Sequence, residues 1–173
     1  MDNKITLWGW EKKKRTMLRF IKVGDIFCFQ HDENTFCFGR IISIMEKRAI
    51  IAEIFDYTSD TPIITEKDIN NAVRMFPPVN LDVYSLFDRK IEGGEWRIIG
   101  RCEDFTLKDA DNIFFTFGYP QIYKMDIWGN KTKISKEEAE GLTDFVYRGN
   151  GNIKKLVEDS FSLSGRCAPP IIS

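Results

Sequence analysis

The chain has 173 residues, of which 43% are hydrophobic and 29% charged, and its formal net charge is −1. That balance excludes a disordered chain, and the length suits one domain. Its apolar runs are strand-sized, far from the roughly 20 residues of a membrane span, and no apolar leader opens it, so the expected compartment is the cytoplasm, without membrane contact.

The charge is unevenly spread. Residues 1–22 hold seven basic and two acidic side chains, residues 23–120 ten and seventeen, and residues 121–173 eight and seven. The acidic middle suits a basic partner, and it equally suits a solvated surface. Fourteen Phe residues supply an aromatic core, each ring burying roughly 150–250 Å².

In chain order, residues 1–20 read as a basic lead-in, residues 21–161 as the core of a single domain, and residues 162–173 as a disordered tail. The lead-in carries Trp8 and Trp10, then the run Lys12-Lys13-Lys14-Arg15. A basic run beside aromatics is a nucleic-acid-binding pattern, and it is also an ordinary polar lead-in. After Val23-Gly24-Asp25, residues 25–30 and 35–44 alternate as two strands around the loop His31-Asp32-Glu33-Asn34. Symmetric closure pairs Phe29 with Phe36 and Phe27 with Phe38. This places four rings on one face and sets Cys28 opposite Cys37 on the other. Burial of the aromatic face is expected to fix that register.

Residues 45–48 form the next turn and residues 49–57 a third strand, which completes an antiparallel meander. Thr65-Glu66-Lys67-Asp68 has capping-box spacing and opens a short helix to about Met75, before Pro77-Pro78. Residues 79–90 and 95–101 read as strands around Glu92-Gly93-Gly94, with Trp96 in the core. Residues 113–117 and 121–125 read as strands around Gly118-Tyr119-Pro120. Ser135-Lys136-Glu137-Glu138 is a second capping box, and residues 153–161 have amphipathic helical spacing. The expected class is α+β: an antiparallel, curled or barrel-like β-sheet with a few short peripheral helices.

Catalytic patterns are scarce. The single histidine, His31, sits in a hairpin loop, so a Ser-His-Asp or Cys-His site would have to be built on it. No GxSxG, Walker A or GxGxxG motif is present. Gly149-Asn150-Gly151-Asn152 precedes a helix but lacks the lysine of a phosphate loop. Cys28, Cys37, Cys102 and Cys167 form no CxxC pair, and no metal or cofactor is expected. Glu53, Asp56 and Asp60, with Glu103, Asp104, Asp109 and Asp111, are candidate acid–base carboxylates, but their spacing demands neither a substrate nor calcium.

Three stretches carry a resemblance. They are Val23-Gly24-Asp25-Ile26-Phe27-Cys28-Phe29 with Phe36-Cys37-Phe38-Gly39-Arg40-Ile41-Ile42, then Ile54-Phe55-Asp56-Tyr57, and then Gly94-Glu95-Trp96-Arg97-Ile98-Ile99-Gly100 with the aromatic strands to Trp128. Together, over roughly residues 20–130, they resemble immunity protein family 26 of bacterial polymorphic toxin and contact-dependent growth-inhibition systems. The resemblance implies an α+β fold and a non-catalytic, cytoplasmic antidote whose partner is the C-terminal domain of a cognate toxin. The matching residues Gly24, Asp25, Gly39, Arg40, Trp96 and Gly100 read as scaffold. The binding surface is therefore expected in the acidic loops, at Asp56, Tyr57 and Asp60 and at Glu103, Asp104, Asp109 and Asp111. A nuclease toxin has a basic groove that such loops would fit. The alternatives are a small nucleic-acid-binding barrel, which the acidic middle disfavours, and a hydrolase built on paired carboxylates.

Overall fold

The computed structural model describes residues 4–46, 49–88 and 95–165. Strand β1 (Ile5–Leu7) leads through a 3₁₀ turn at Leu18–Phe20 into three long strands, β2 (Asp25–Asp32), β3 (Thr35–Met45) and β4 (Ala49–Ser59). Then come α1 (Glu66–Asn70), β5 (Val79–Leu81), α2 (Val83–Phe87) and β6 (Trp96–Cys102). A second group holds β7 (Phe114–Phe117), β8 (Ile122–Asp126) and β9 (Lys131–Ile134). The chain continues through α3 (Lys136–Ala139), β10 (Thr143–Asp144), β11 (Tyr147–Arg148) and α4 (Asn150–Leu163).

Seven strands form one sheet in the order β1-β6-β2-β3-β4-β5-β11, and four form another in the order β10-β7-β8-β9. Pairing is antiparallel except at the two-residue strands β10 and β11, which run parallel to β7 and β5. Bulges in the β2–β3, β2–β6 and β3–β4 ladders raise the local twist and curl the large sheet. This is the expected α+β class, with curled open sheets and no closed barrel.

Both faces of the large sheet are buried. On one face Phe27, Phe29, Ile41, Ile54 and Trp96 pack under α2 and α4, through Val83, Leu86, Phe87, Ile153 and Val157. The other face is shared. Ile26, Cys28, Phe38, Phe55 and Ile99 pack with Ile5, Ile64 and Ile69 at one end. Ile42, Met45, Ala49 and Ile51 pack against Phe115 and Met125 of the small sheet at the other.

This two-sided burial explains why the first hairpin departs from its expected register. Phe29 pairs with Cys37, Cys28 with Phe38 and Phe27 with Gly39, one residue away from the symmetric closure. Phe27 and Phe29 thus share a face with Cys37, while Phe38 and Phe36 lie on the other face with Cys28. Phe27, Phe29, Phe38 and Trp96 are fully buried, whereas Phe36 is only half-buried and meets Trp10 edge-on at 5.5 Å. The observed register sets each large residue against a small one. A Cβ added at Gly39 would stand 2.4 Å from the Phe27 ring, so the ring fills the space that glycine leaves. Phe29 instead stacks on Trp96, with ring centroids 4.0 Å apart. Since either face can bury a ring, volume matching decides the register. The strands also run through His31 and Asp32, which shortens the loop to Glu33 and Asn34.

Two further expectations change. Residues 79–90 are not one strand: β5 ends at Leu81, and Asp82 caps α2 by accepting from the Ser85 N–H at 3.5 Å. Val83, Leu86 and Phe87 then fall on one helical face in the core. The helix opened by Thr65 stops at Asn70 rather than near Met75, because residues 73–75 pair with β4 through Asp56 N–H to Val73 O and Met75 N–H to Ile54 O. Strands β1, β9, β10 and β11 were not anticipated from the sequence. The expected glycine turn at residues 92–94 and residues 47–48 of the preceding turn lie outside the described residues, as does the tail beyond residue 165. Ser162 and Leu163 belong to α4.

Candidate functional site

The Trp8–Trp10 segment and the loop after β4 meet in one groove. Beyond β1 the chain stays beside β6, where Trp8 N–H and Gly9 N–H both donate to Ile99 O. Gly9 has φ +86°, a conformation that favours glycine, and it lets the chain turn away so that the two tryptophans diverge. The Trp8 indole Nε1 donates to Ile98 O at 2.8 Å, and the Lys13 ammonium lies 4.8 Å from the ring. Trp10 is held differently. Arg97 stacks on its ring at 4.1 Å and donates from Nη1 to its carbonyl at 3.0 Å. Opposite stands the loop after β4, where Ile63 is 65% exposed and Ile64 is buried. Residues 7–11 and 62–64, with Ile99, enclose a largely apolar groove of about 500 Å³.

Acidic groups lie on the loop that leads into this groove and around Tyr57. Asp60 is exposed two residues before Pro62, and among the described residues no cation pairs with it. Tyr57 is half-buried against Phe38, with ring centroids 5.6 Å apart. Burial first, then the charges of Asp68 and Asp60, push its hydroxyl above the usual range, so it remains a neutral hydrogen-bonding group. Asp68 comes from the first turn of α1, where it accepts from Thr65 N–H and Oγ1. Glu11 adds an exposed carboxylate on the tryptophan side, 3.9 Å from the Arg97 guanidinium.

The second acidic loop is divided among other tasks. Asp109 lies at the end of an ion chain. Arg40 donates to Glu53 Oε1 from Nε at 2.7 Å, and Arg74 Nε donates to Oε2 at 2.7 Å. The two Nη groups of Arg74 donate to Asp109. The hydrogen bonds from Arg74 hold the Asp109 carboxyl below the usual carboxylate range. The Arg40 guanidinium lies 4.1 Å from the Phe105 ring, so the network fastens residues 105–109 to β3 and β4. These four charges neutralise one another and line a polar cleft of about 210 Å³. Glu103 is exposed and extends the β1 ladder by donating its N–H to Lys4 O at 2.9 Å. Asp104 and Asp111 are exposed, and no described contact joins them or Glu103 to Asp60. Asp56 is half-buried beside Val73.

The groups that sequence reasoning tested for chemistry are elsewhere. His31 is half-buried against Phe161 and α4, at 5.9 Å between ring centroids. Burial lowers its pKa, Asp32 and Glu158 oppose that shift, and Lys154 adds to it. Cys28 and Cys37 point to opposite faces and do not meet. Burial raises both thiols, Cys37 to about 12, which suppresses the thiolate a nucleophile needs. Among the described residues no His, Cys, Asp and Glu side chains group as metal ligands, and no helix is long and apolar enough to cross a membrane. The sequence reading missed Asp68, Ile63 and Trp10 as parts of one surface. Asp68 was visible only as a capping residue, and Trp10 only as an aromatic beside a basic run, either a nucleic-acid-binding pattern or a polar lead-in.

Residues 22–120 match the family model described as Immunity protein 26. No curated protein and no solved structure matches. The matched stretch contains β2 to β7 and the acidic loops, while β1 and the tryptophan wall of the groove lie outside it.

Proposed function

The chain belongs to the Immunity protein 26 family, and on that premise we propose that it binds the C-terminal domain of one cognate bacterial toxin in the cytoplasm. It neutralises that domain by covering its active site or substrate groove. The protein acts by association and carries out no catalysis of its own. The toxin belongs to a polymorphic or contact-dependent growth-inhibition system, and its contact surface is basic, as the nucleic-acid groove of a nuclease is.

One observation supports the acidic recognition surface most strongly. Tyr57 sits amid Asp60 and Asp68, and Asp60 has no cationic partner among the described residues. Most other acids near the fold's centre are neutralised internally, as Asp109 is by Arg74 and Asp25 by Arg101 at 2.6 Å. Unpaired carboxylates around a neutral phenol attract a basic partner and give it an aromatic anchor. Of the expected contact residues, we take Tyr57 and Asp60 as the centre of this surface, with Asp56 as a further contact from beside Val73. Glu103 and Asp104 after β6 and Asp111 before β7 are exposed and are proposed as further contacts, whereas Asp109 is taken up by Arg74.

The test uses the product of the open reading frame adjacent to this chain's gene as the candidate toxin domain. Reversal of both Asp56 and Asp60 to Lys slows association by about tenfold or more, and added salt slows the wild-type on-rate. A wild-type on-rate indifferent to salt, with the reversed variant equally tight, removes the acidic loop as the recognition surface.

A further inference from the structure

The groove adjoins an open strand edge. Lys4 O accepts from Glu103 N–H and Trp8 N–H donates to Ile99 O, so Lys4, Thr6 and Trp8 bond toward β6. In an antiparallel ladder the intervening residues turn the other way. Ile5 and Leu7 therefore direct their N–H and C=O groups outward, and β1 is the terminal strand of the sheet. Among the described residues, no backbone hydrogen bond covers this edge. Exposed edges are normally blunted, and β1 is short and begins beside Lys4, yet it opens onto apolar walls.

We propose that this edge and groove receive an extended segment of the toxin domain, which adds as a strand beside β1 and seats large apolar side chains between Trp10 and Ile63. The segment carries Lys or Arg next to those side chains. This inference rests on the toxin-binding reading and specifies the partner's contribution to that surface.

Three features select this occupant. First, the groove volume of about 500 Å³ suits a ligand, but Glu11 is the one charged residue in its lining, and a small-molecule site needs several convergent polar groups. An extended peptide instead takes its polar contacts from the strand edge and its specificity from a pocket for alternate side chains. Second, the walls are set before binding. Arg97 and Phe36 hold Trp10, and Ile98 O and Lys13 hold Trp8, so little ordering accompanies docking. Third, the groove carries the exposed carboxylate of Glu11, 3.9 Å from Arg97, and Asp60 stands two residues before Pro62 in the chain, which suits a basic segment. The nearby cations Lys13 and Arg15 are turned to Trp8 and Asp88. Tyr57 packs on the same core cluster as Leu7 and Trp10, which line the groove. Half of it lies outside the stretch that matches the family.

The experiment uses the full chain and the product of the adjacent open reading frame as the candidate toxin domain. Ile63 and Leu163 are 65% and 90% exposed, so Arg at either position leaves the fold intact. Ile63→Arg weakens binding by about tenfold or more, while Leu163→Arg binds as the wild type does. In the wild-type complex the Ile5 and Leu7 amides exchange hydrogen about tenfold more slowly than in the free chain. Unchanged affinity in Ile63→Arg, or unchanged exchange at Ile5 and Leu7 in a formed complex, overturns strand addition and leaves the toxin-binding reading standing. Absence of any complex with the wild type overturns that reading and this inference together.

Discussion

Phe29 and Trp96 show what one residue contributes here. Their rings stack at 4.0 Å and both are fully buried, with the Trp96 Nε1 donating to Asn150 on α4 at 2.8 Å. Truncating Phe29 leaves a cavity beneath that stack. Phe29→Ala is expected to lower unfolding stability by about 3–5 kcal/mol, measured by denaturant unfolding. A cost below about 1 kcal/mol would mean that the site collapses or that the ring is not buried. That these rings are core was legible from alternation alone. Which face each occupies was not, because alternation reports a face only when the opposite face is polar. Here Cys28 and Phe38 are as buried as Phe27 and Phe29, so the pattern offered no contrast, and the packing of Phe27 over Gly39 settled the register.

Among the elements, the two capping boxes were the most legible, since Thr65 with Asp68 and Ser135 with Glu138 make the local bonds that their spacing implies. The ends and partners of elements were less so. Strands β10 and β11 have two residues each and exist because β7 and β5 offer edges to pair with. No local pattern announces such strands. The segment after α1 is similar: Arg74 bridges Glu53 and Asp109, and it draws residues 73–75 into an extended pairing with β4. Arg74→Met leaves Glu53 with Arg40 alone and frees Asp109. The expected loss is about 1–3 kcal/mol, with faster amide exchange in residues 105–109. The variant also changes the acid limb of the stability curve. The Asp109 pKa is depressed in the folded chain, so its pairing stabilises above the ordinary carboxylate range and is lost as pH falls through the depressed value. Arg74→Met is expected to lose this acid dependence. An unchanged acid limb would mean that the pair contributes nothing in solution.

At the scale of the molecule, a seven-stranded sheet is covered by helices on one face, and its other face is shared between the small sheet and the α1 region. The second of these faces ends in the groove, and there the β1 edge, the tryptophans and the loop that follows β4 as far as Ile64 converge, beside Tyr57 at the end of that strand. The loop was legible as a candidate site from its acids and its aromatic. Its union with Trp8 and Trp10 was not, because β1 joins the sheet beside β6, more than 90 residues later in the chain. Pairs within residues 23–120 take up Asp25, Glu53 and Asp109 with Arg101, Arg40 and Arg74; they leave the segment's net charge unchanged and decide only where the remaining acid lies. The most direct test of an antidote that works by binding is titration of the purified toxin domain's activity with this chain. The expected result is loss of toxin activity that is complete near one equivalent, both for the wild type and for His31→Ala, because the lone histidine packs against α4 and activates no nucleophile. Full toxin activity at a large excess of the chain, or inhibition that His31→Ala abolishes without weakening the complex, would contradict it.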